Sequence, residues 1–263
     1  MIYDFAIIGG GSTGYAAAMY AGRLNLKTVL FAGGTPGGLI ITTELVENYP
    51  GFKRVSGFDI FENIRAHARE YHPDEIEQDV IRVERNVREN EFIIYTKDAA
   101  TRARTILFAT GAVYRKLAVP GAKEFENKGV HYCALCDGFA YKDKTVAVIG
   151  GADSAAKEAL ELAQNAKTVY IIYRGAEIRP EPINGKRVSE NEKIEIIPNT
   201  NVIKIIGEVK VEGVELDAAF NGSTELALQA VFVAIGTVPQ SALAEPLGVL
   251  VNAKKEIIIN RYA

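Results

Sequence analysis

The residues most able to do chemistry are the two cysteines of the chain, Cys133 and Cys136, which stand three positions apart in the segment HYCALCDG. Cysteines at this spacing can close a small disulfide ring, and their thiolates exchange with other disulfides. Asp137 follows at once, and a carboxyl group beside the thiols can donate and accept the proton that accompanies each exchange. The motif favours a redox-active dithiol with Asp137 as its acid–base group.

Other interpretations of this segment stay open. A zinc site needs about four ligands, and His131 is the only further ligand nearby in a chain with three histidines, so no metal site is predicted. Two inert buried cysteines would meet this spacing only by chance. Asp137 followed by Gly138 is also typical of a turn. His131 could carry the proton instead of Asp137, or could serve only to pack a strand.

The cysteine pair lies between two segments that share the order strand, glycine-rich turn, alanine-rich helix and strand. This order is typical of a nucleotide-binding βαβ unit, and its repetition within one chain is stronger evidence than a single copy. Each apolar run predicts a buried strand, and each alanine-rich stretch predicts a helix. The predicted elements are Tyr3–Ile8, Tyr15–Arg23 and Lys27–Phe31 in the first copy, and Thr145–Ile149, Ser154–Gln164 and Lys167–Tyr173 in the second.

The glycines of the first turn, Gly9, Gly11 and Gly14, have the spacing of the dinucleotide fingerprint. Gly9 permits a tight turn, Gly11 lets the backbone approach a pyrophosphate, and Gly14 lets the helix pack on the strand. The free N–H groups at the start of the helix would then bind the phosphates. Ala32 replaces the acid that usually ends the second strand. A ribose hydroxyl therefore either loses its carboxylate partner or finds another one.

The second turn begins at Gly150 and carries Ala152 at the middle position, where a methyl group could crowd a pyrophosphate. Arg174 and Arg179 follow the second strand of this copy. Cations at this place suit the 2′-phosphate of NADPH, whereas an acid would suit NADH. The pattern favours NADPH, and the alternative is a pair of solvated surface arginines.

Further periodic runs complete the predicted organisation. Apolar residues at helical spacing predict an amphipathic helix over Gly57–Tyr71. The runs Ile106–Gly111 and Val231–Gly236 resemble each other, and each predicts a strand that ends in a glycine at a connection between domains. Other strands are predicted at Asp79–Val83, Phe92–Thr96, Thr105–Phe108, Ile194–Ile197, Val202–Ile206, Val209–Leu216 and Ile257–Asn260.

Composition excludes several classes of function. The formal net charge is −3 and the cations are scattered, so binding to nucleic acid or to an anionic membrane is not expected. No apolar stretch approaches the roughly 20 residues of a membrane span, and the N-terminus lacks the pattern of a secretory signal. Two cysteines in a protein kept inside a reducing cell are not expected to form a structural disulfide. A cytoplasmic location is expected.

Five segments carry a resemblance that covers essentially the whole chain: IIGGGSTGYAAAMYAGR, GGLIITTELVENYPGF, LFATGAVYRKLAVPG, GVHYCALCDGFAYKDKTVAVIGGADSAAKEAL and VFVAIGTVPQSAL. In these segments the chain resembles the low-molecular-weight thioredoxin reductases, which are FAD-linked pyridine nucleotide-disulfide oxidoreductases. The resemblance implies an α/β fold with two Rossmann-like domains, the nicotinamide domain being inserted into the FAD domain. Residues 1–113 and 240–263 would form the FAD-binding domain, and residues 114–239 the NAD(P)H-binding domain that carries the cysteines.

The resemblance also implies roles for individual residues. Cys136 would lie nearer the flavin, Cys133 would attack the disulfide of a protein substrate, and Asp137 would be the acid–base residue. FAD would be bound by Gly9, Gly11, Ser12, Gly14, Gly38, Thr43, Asn48, Thr110 and Gly111. NADPH would be bound by Gly150, Gly151, Asp153, Ser154, Glu158, Arg174, Arg179 and Gly236.

The implied function is a thioredoxin-disulfide reductase. Electrons would pass from NADPH through FAD to the Cys133–Cys136 disulfide and then to a thioredoxin-like protein. The implied protein is a homodimer, and rotation of its second domain at Gly111 and Gly236 would let both the nicotinamide and the dithiol reach one flavin. The chain departs from the family pattern at Leu39, Ala152, Tyr173 and Gly175. These departures leave open whether the electron donor is NADPH, NADH or another donor such as ferredoxin.

A further departure is length. Family members continue beyond a strand like Ile257–Asn260 with a segment that contacts the flavin, so this chain is expected to be a fragment or to complete its FAD site differently. The alternative functions are a related flavin dithiol reductase serving a peroxidase or glutaredoxin-like protein, and a catalytically impaired nucleotide-binding redox sensor.

Overall fold

The computed structural model describes residues 1–259, and in it the chain forms two compact units. The first unit comprises Met1–Val113 and the residues from Val238 onward, and the second comprises Tyr114–Thr237. Each unit has a sheet with parallel strands and helices, so the predicted α/β class with two Rossmann-like domains is confirmed. Among the described residues, no helix has the length and apolar character that a membrane crossing requires.

The first unit is built on a six-stranded sheet with the order β3-β2-β1-β6-β5-β4. Strands β1, β2, β3 and β6 are parallel, and β4 and β5 form an antiparallel hairpin on one side. The elements are β1 (Ile2–Ile8), α1 (Ser12–Arg23), β2 (Thr28–Phe31), α2 (Gly57–Arg69), β3 (Asp74–Ile76), β4 (Arg82–Asn86), β5 (Glu91–Tyr95) and β6 (Ala100–Phe108).

Strand β1 shows why the predicted βαβ unit forms. It pairs with β2 on one side and with β6 on the other, so both of its faces are covered. Ala6 and Ile8 pack in one apolar cluster, and Ile7 packs in another with Tyr15 of α1, because successive side chains of a strand point to opposite faces. A continuous apolar run is therefore the pattern that this central strand requires.

The second unit contains a five-stranded parallel sheet with the order β11-β10-β9-β15-β8 and a three-stranded antiparallel sheet β12-β13-β14. A two-stranded sheet joins β7 to β16, the segments in which the chain leaves the first unit and returns to it. The elements are β7 (Ala112–Tyr114), β8 (Val130–His131), α3 (Ala134–Asp137), β9 (Thr145–Ile149), α4 (Asp153–Ala163), β10 (Thr168–Ile172), α5 (Pro182–Ser189), β11 (Ile194–Ile197), β12 (Val202–Gly207), β13 (Val211–Phe220), β14 (Ser223–Ala227), β15 (Ala230–Val233) and β16 (Thr237–Pro239).

Three predicted strands need correction. The strand expected at Asp79–Val83 is instead β4, because β4 takes its register from the hairpin with β5 and leaves Asp79 in the preceding loop. The strand expected at Val209–Leu216 begins at Val211 and extends to Phe220, since β13 pairs with both β12 and β14. At Ile257–Asn260 the structure has only an isolated bridge from Ile257 to Val251, and Asn260 lies outside the described residues.

Candidate functional site

The first glycine-rich turn has no room for side chains at two of its three fingerprint positions. Gly9 has a φ of +123°, and a Cβ atom there would lie 2.2 Å from the carbonyl oxygen of Ala109. A Cβ atom on Gly14 would lie 1.9 Å from the carbonyl oxygen of Gly9. At Gly11 the nearest such contact is 3.8 Å. Glycine at Gly9 and Gly14 is therefore needed by the fold, whereas at Gly11 it leaves open space beside the turn.

That open space is part of a cavity of about 570 Å³ in the first unit. The cavity lies at the carboxyl ends of the parallel strands, where ligands of such sheets bind, and its volume is in the range of nucleotide pockets. Of the residues predicted to bind FAD, six line it: Gly9, Gly11, Ser12, Gly38, Thr110 and Gly111. Gly14, Thr43 and Asn48 do not line it; Gly14 is buried beneath the turn and Asn48 is exposed.

Polar atoms in the wall of this cavity fit a ligand with many hydrogen-bonding groups. The Ser12 Oγ and Gln78 Oε1 atoms are buried without a hydrogen-bond partner among the described residues. Buried polar atoms of this kind are costly unless a bound group satisfies them. The chemistry of the wall, with free backbone and unsatisfied side-chain oxygens, therefore fits a dinucleotide such as FAD.

Sequence reasoning missed the far wall of the cavity, which Gln78, Asp79 and Val80 supply. A Cβ atom on Gly33 would lie 3.0 Å from Asp79 Oδ1, so this carboxylate lies beside the end of β2, next to Ala32. Because Ala32 replaces the usual acid, the sequence indicated that a carboxylate from elsewhere could occupy this place. It did not indicate Asp79, because only the packing of the loop before β4 brings that residue beside the end of β2.

The cysteines form a disulfide, with their Cα atoms 5.4 Å apart. Cys133 is the N-cap residue of the short helix α3, and its Sγ accepts a hydrogen bond from the Cys136 amide at 3.1 Å. Cys133 is buried, with an exposed fraction of 7%, whereas Cys136 is exposed. The redox pair is therefore present in its oxidised form, on the unit that also carries the second glycine-rich turn.

Asp137 lies beside the disulfide on α3, and His131 is its neighbour. Asp137 Oδ2 is 3.2 Å from His131 Nδ1, and His131 Nε2 is 2.7 Å from the hydroxyl of Tyr141. Burial lowers the pKa of His131, although the carboxylate of Asp137 acts in the opposite direction. Burial and the nearby Asp137 charge raise the pKa of Tyr141. The Asp137 side chain is half-exposed, with 42% of it accessible to solvent.

The Glu158 side chain of α4 contacts the start of α3. Its Oε2 accepts a hydrogen bond of 2.5 Å from the amide of Ala134, the first residue of α3. Burial raises the pKa of Glu158 to about 7. The hydrogen bond from Ala134 acts to lower this pKa, and the charges of Glu161 and Asp137 raise it by smaller amounts. Glu158 therefore stabilises the start of α3, the helix that carries the cysteines, through this hydrogen bond. The contact between Glu158 and NADPH stays a prediction.

The second glycine-rich turn repeats the geometry of the first at its start. Gly150 has a φ of +147°, and a Cβ atom there would lie 2.3 Å from the carbonyl oxygen of Ala234. The Arg179 amide donates to the carbonyl of Gly151 at 2.6 Å, and a bridge joins Ala152 to Arg179. The guanidinium of Arg179 donates to the hydroxyl of Tyr173 at 3.1 Å. The segment after β10 is therefore held against this turn.

Asp153 fixes a second part of that segment. Its Oδ1 accepts from the amide of Glu181 at 2.9 Å and from the side chain of Asn184 at 2.8 Å, and its Oδ2 pairs with Lys157. Burial acts to raise the pKa of Asp153, but these hydrogen bonds and the cation together lower it. Asp153 therefore has a structural role that its sequence position does not reveal. Ser154 and Arg174 are exposed on the same unit.

Comparison with known proteins adds independent evidence. Residues 3–263 match the model of the pyridine nucleotide-disulphide oxidoreductase family. The thioredoxin reductase of Mycolicibacterium smegmatis is 39% identical over 246 residues, which is 92% of this chain and 78% of that protein. A crystal structure of Lactococcus lactis thioredoxin reductase superposes with a TM-score of 0.93 at 33% identity, over 99% of this chain and 86% of that one. The T. acidophilum thioredoxin reductase gives a TM-score of 0.92 at 30% identity, over 99% and 85% of the two chains.

Proposed function

The chain belongs to the pyridine nucleotide-disulphide oxidoreductase family, and we propose that it is a thioredoxin-disulfide reductase. The observation that carries this proposal is the Cys133–Cys136 disulfide, with the carboxylate of Asp137 beside it, on a unit that holds a nucleotide-binding fingerprint. The naming of the M. smegmatis, L. lactis and T. acidophilum relatives as thioredoxin reductases supports the same substrate class.

FAD fits the cavity of the first unit. Ser12 and the backbone of Gly11 would bind its pyrophosphate, and Asp79 would supply the ribose carboxylate that Ala32 cannot. Bound FAD would accept a hydride from a nicotinamide nucleotide and supply two electrons to a disulfide. NADPH is the preferred nucleotide in this proposal, because Arg174 and Arg179 are exposed cations that suit a 2′-phosphate.

The residues of the second unit carry out the disulfide exchange. The resemblance to the family assigns the attacking thiolate to Cys133, although Cys133 is the buried member of the oxidised pair. In the reduced enzyme this thiolate attacks one sulfur of the thioredoxin disulfide, forming a mixed disulfide and releasing a thiolate that Asp137 protonates. The Cys136 thiolate then attacks Cys133, closes the Cys133–Cys136 bond and releases the second thioredoxin sulfur. Two electrons thus pass to thioredoxin, and the enzyme disulfide is restored. The homodimer and the cytoplasmic location stay predictions, as do the hinge roles of Gly111 and Gly236.

Two matched variants of the holoprotein test this assignment. Cys136→Ser keeps the attacking thiolate, so it should trap a mixed disulfide with thioredoxin that non-reducing electrophoresis detects. Cys133→Ser should neither trap thioredoxin nor reduce it, while NADPH still bleaches the flavin. If Cys133→Ser traps thioredoxin and Cys136→Ser does not, the two sulfurs have the opposite roles. If the unmodified protein reduces its flavin but not thioredoxin, the proposed substrate is wrong.

A further inference from the structure

His131 is held rigidly within the second unit, next to the dithiol helix. The exposed fraction of its side chain is 7%. Its ring stacks on Phe232 at a centroid distance of 5.3 Å, and Tyr141 packs edge-on against it at 5.4 Å. Aromatic contacts on a face and an edge fix the orientation of both ring nitrogens. A buried imidazole with two polar neighbours at its nitrogens is more than a packing residue.

The two nitrogens of His131 are satisfied unequally. Nε2 lies 2.7 Å from the Tyr141 hydroxyl, within hydrogen-bond distance. Nδ1 lies 3.2 Å from Asp137 Oδ2 but makes no aligned hydrogen bond with any described residue. Leaving a buried polar nitrogen without a partner is unfavourable. A small rotation of the half-exposed Asp137 side chain would align this contact.

The protonation of the ring sets the direction of these contacts. Burial lowers the pKa of His131, so the neutral ring with a single N–H is favoured. When the Tyr141 hydroxyl donates to Nε2, the proton of the neutral ring is on Nδ1 and points to Asp137. This arrangement of a hydroxyl, a neutral imidazole and a carboxylate places an N–H donor beside Asp137.

Building on the proposed function, we propose that His131 is a positioning residue for Asp137 in the dithiol exchange. Asp137 gives a proton to the thiolate that leaves when an S–S bond breaks, and the resulting carboxylate accepts a hydrogen bond from His131 Nδ1–H. The imidazole keeps its own proton throughout. When Asp137 recovers a proton, the hydrogen bond weakens and the carboxyl group is released for the next exchange.

Other titratable groups near the pair come from neighbouring elements. The Glu158 carboxyl of α4 interacts electrostatically with Asp137, and Tyr141 follows α3 in the chain. From β15, the ring of Phe232 faces His131 and is uncharged. Glu158 and Asp137 repel each other when both are ionised, which increases the need for a donor at Asp137. His131 Nδ1 lies 3.2 Å from that carboxylate.

Two substitutions at His131 separate positioning from packing. His131→Asn retains an N–H donor near the position of Nδ1, whereas His131→Leu retains volume and removes the donor. In His131→Leu we expect thioredoxin reduction to slow by about 10- to 100-fold and its pH profile to shift, with recovery to within a few-fold in His131→Asn. Reduction of the flavin by NADPH should be unaffected in both. The exposed His67→Leu on α2 is the control for loss of a histidine.

The outcomes distinguish this inference from the proposed function. An unchanged rate and pH profile in His131→Leu would overturn the positioning role. If the unmodified protein does not reduce thioredoxin, the pH dependence of alkylation of the reduced dithiol by iodoacetamide gives the same test without a protein substrate. If His131→Leu does not fold, Tyr141→Phe is measured instead, because it removes the hydroxyl that fixes the proton on Nδ1. A several-fold slowing in Tyr141→Phe supports the inference, and no change refutes it.

Discussion

The two glycine-rich turns occupy the same place in their βαβ units but differ in what surrounds them. The first turn faces an open cavity, with 3.8 Å of clearance at Gly11. Both turns are bridged to a following segment: Gly11 to Gly37, whose amide bonds to the carbonyl of Gly10, and Ala152 to Arg179, whose amide bonds to the carbonyl of Gly151. The two turns therefore share their backbone contacts and differ in their side chains: the bridged positions are both glycine beside the cavity of the first unit, whereas they are an alanine and an arginine in the second.

The helices that follow the turns differ in a related way. Counting from Gly9 and Gly150, Ala17 on α1 corresponds to Glu158 on α4. Ala17 packs against the core of the first unit, whereas Glu158 reaches the Ala134 amide at the start of the dithiol helix. The repeated unit has thus been adapted in its second copy to support the cysteines.

The largest effect expected from this comparison is at the middle fingerprint position. Gly11→Val places a side chain in the cavity without a close clash with the fold, so FAD affinity should fall by about 10- to 100-fold while the melting temperature changes little. Ala152→Val, the substitution at the matched position of the second turn, should leave FAD binding intact and weaken the binding of NADPH. Flavin content and fluorescence titration of the apoprotein measure both. Normal FAD binding in Gly11→Val would remove the first turn from the flavin site.

The second prediction concerns the buried carboxyl group of α4. The pKa of Glu158 is raised from 4.5 to about 7, so the folded protein holds this proton more tightly than the unfolded chain does. The free energy of unfolding should therefore fall as the pH rises through this interval, by about 3 kcal/mol for this one group. Glu158→Gln keeps the acceptor for the Ala134 amide and removes the titration, so this fall should disappear from denaturant titrations at about pH 5 and about pH 8.

The control for that experiment is Glu190→Gln, whose carboxylate is 64% exposed. It should leave the pH dependence of unfolding as it is in the unmodified protein. An identical pH dependence in the unmodified protein and in Glu158→Gln would show that the folded protein holds the Glu158 proton no more tightly than the unfolded chain does.

How far the sequence predicted these features depends on the range of the interactions. The βαβ units, both turns and the dithiol follow from local patterns of apolar and small residues, and the structure has them at the predicted positions. The Glu158–Ala134 contact depends on how α4 packs against α3, and the His131–Tyr141 contact depends on how β8 lies beside the segment after α3; periodicity encodes neither. The part of the cavity wall at Asp79 was predicted as strand because only the hairpin partner sets where β4 begins.

A smaller effect is expected for nucleotide selection at the second turn. Replacing Arg174 and Arg179 together by alanine should raise the Michaelis constant for NADPH by about 10-fold and that for NADH much less, because a guanidinium pairs with the 2′-phosphate. Arg187→Ala on α5 is a control on the same unit. Steady-state kinetics with both nucleotides measure the ratio. Equal changes for NADPH and NADH would mean that the two arginines are solvated surface cations.

The central claim is that electrons travel from a nicotinamide nucleotide through a flavin to the Cys133–Cys136 disulfide and on to thioredoxin. Anaerobic titration of the purified holoprotein with NADPH, followed by addition of oxidised thioredoxin, tests it most directly. The predicted result is a yellow protein that NADPH bleaches and that thioredoxin returns to yellow, with reduced thioredoxin formed in equal amount. A flavin that neither NADPH nor NADH bleaches would contradict the claim and favour a donor such as ferredoxin.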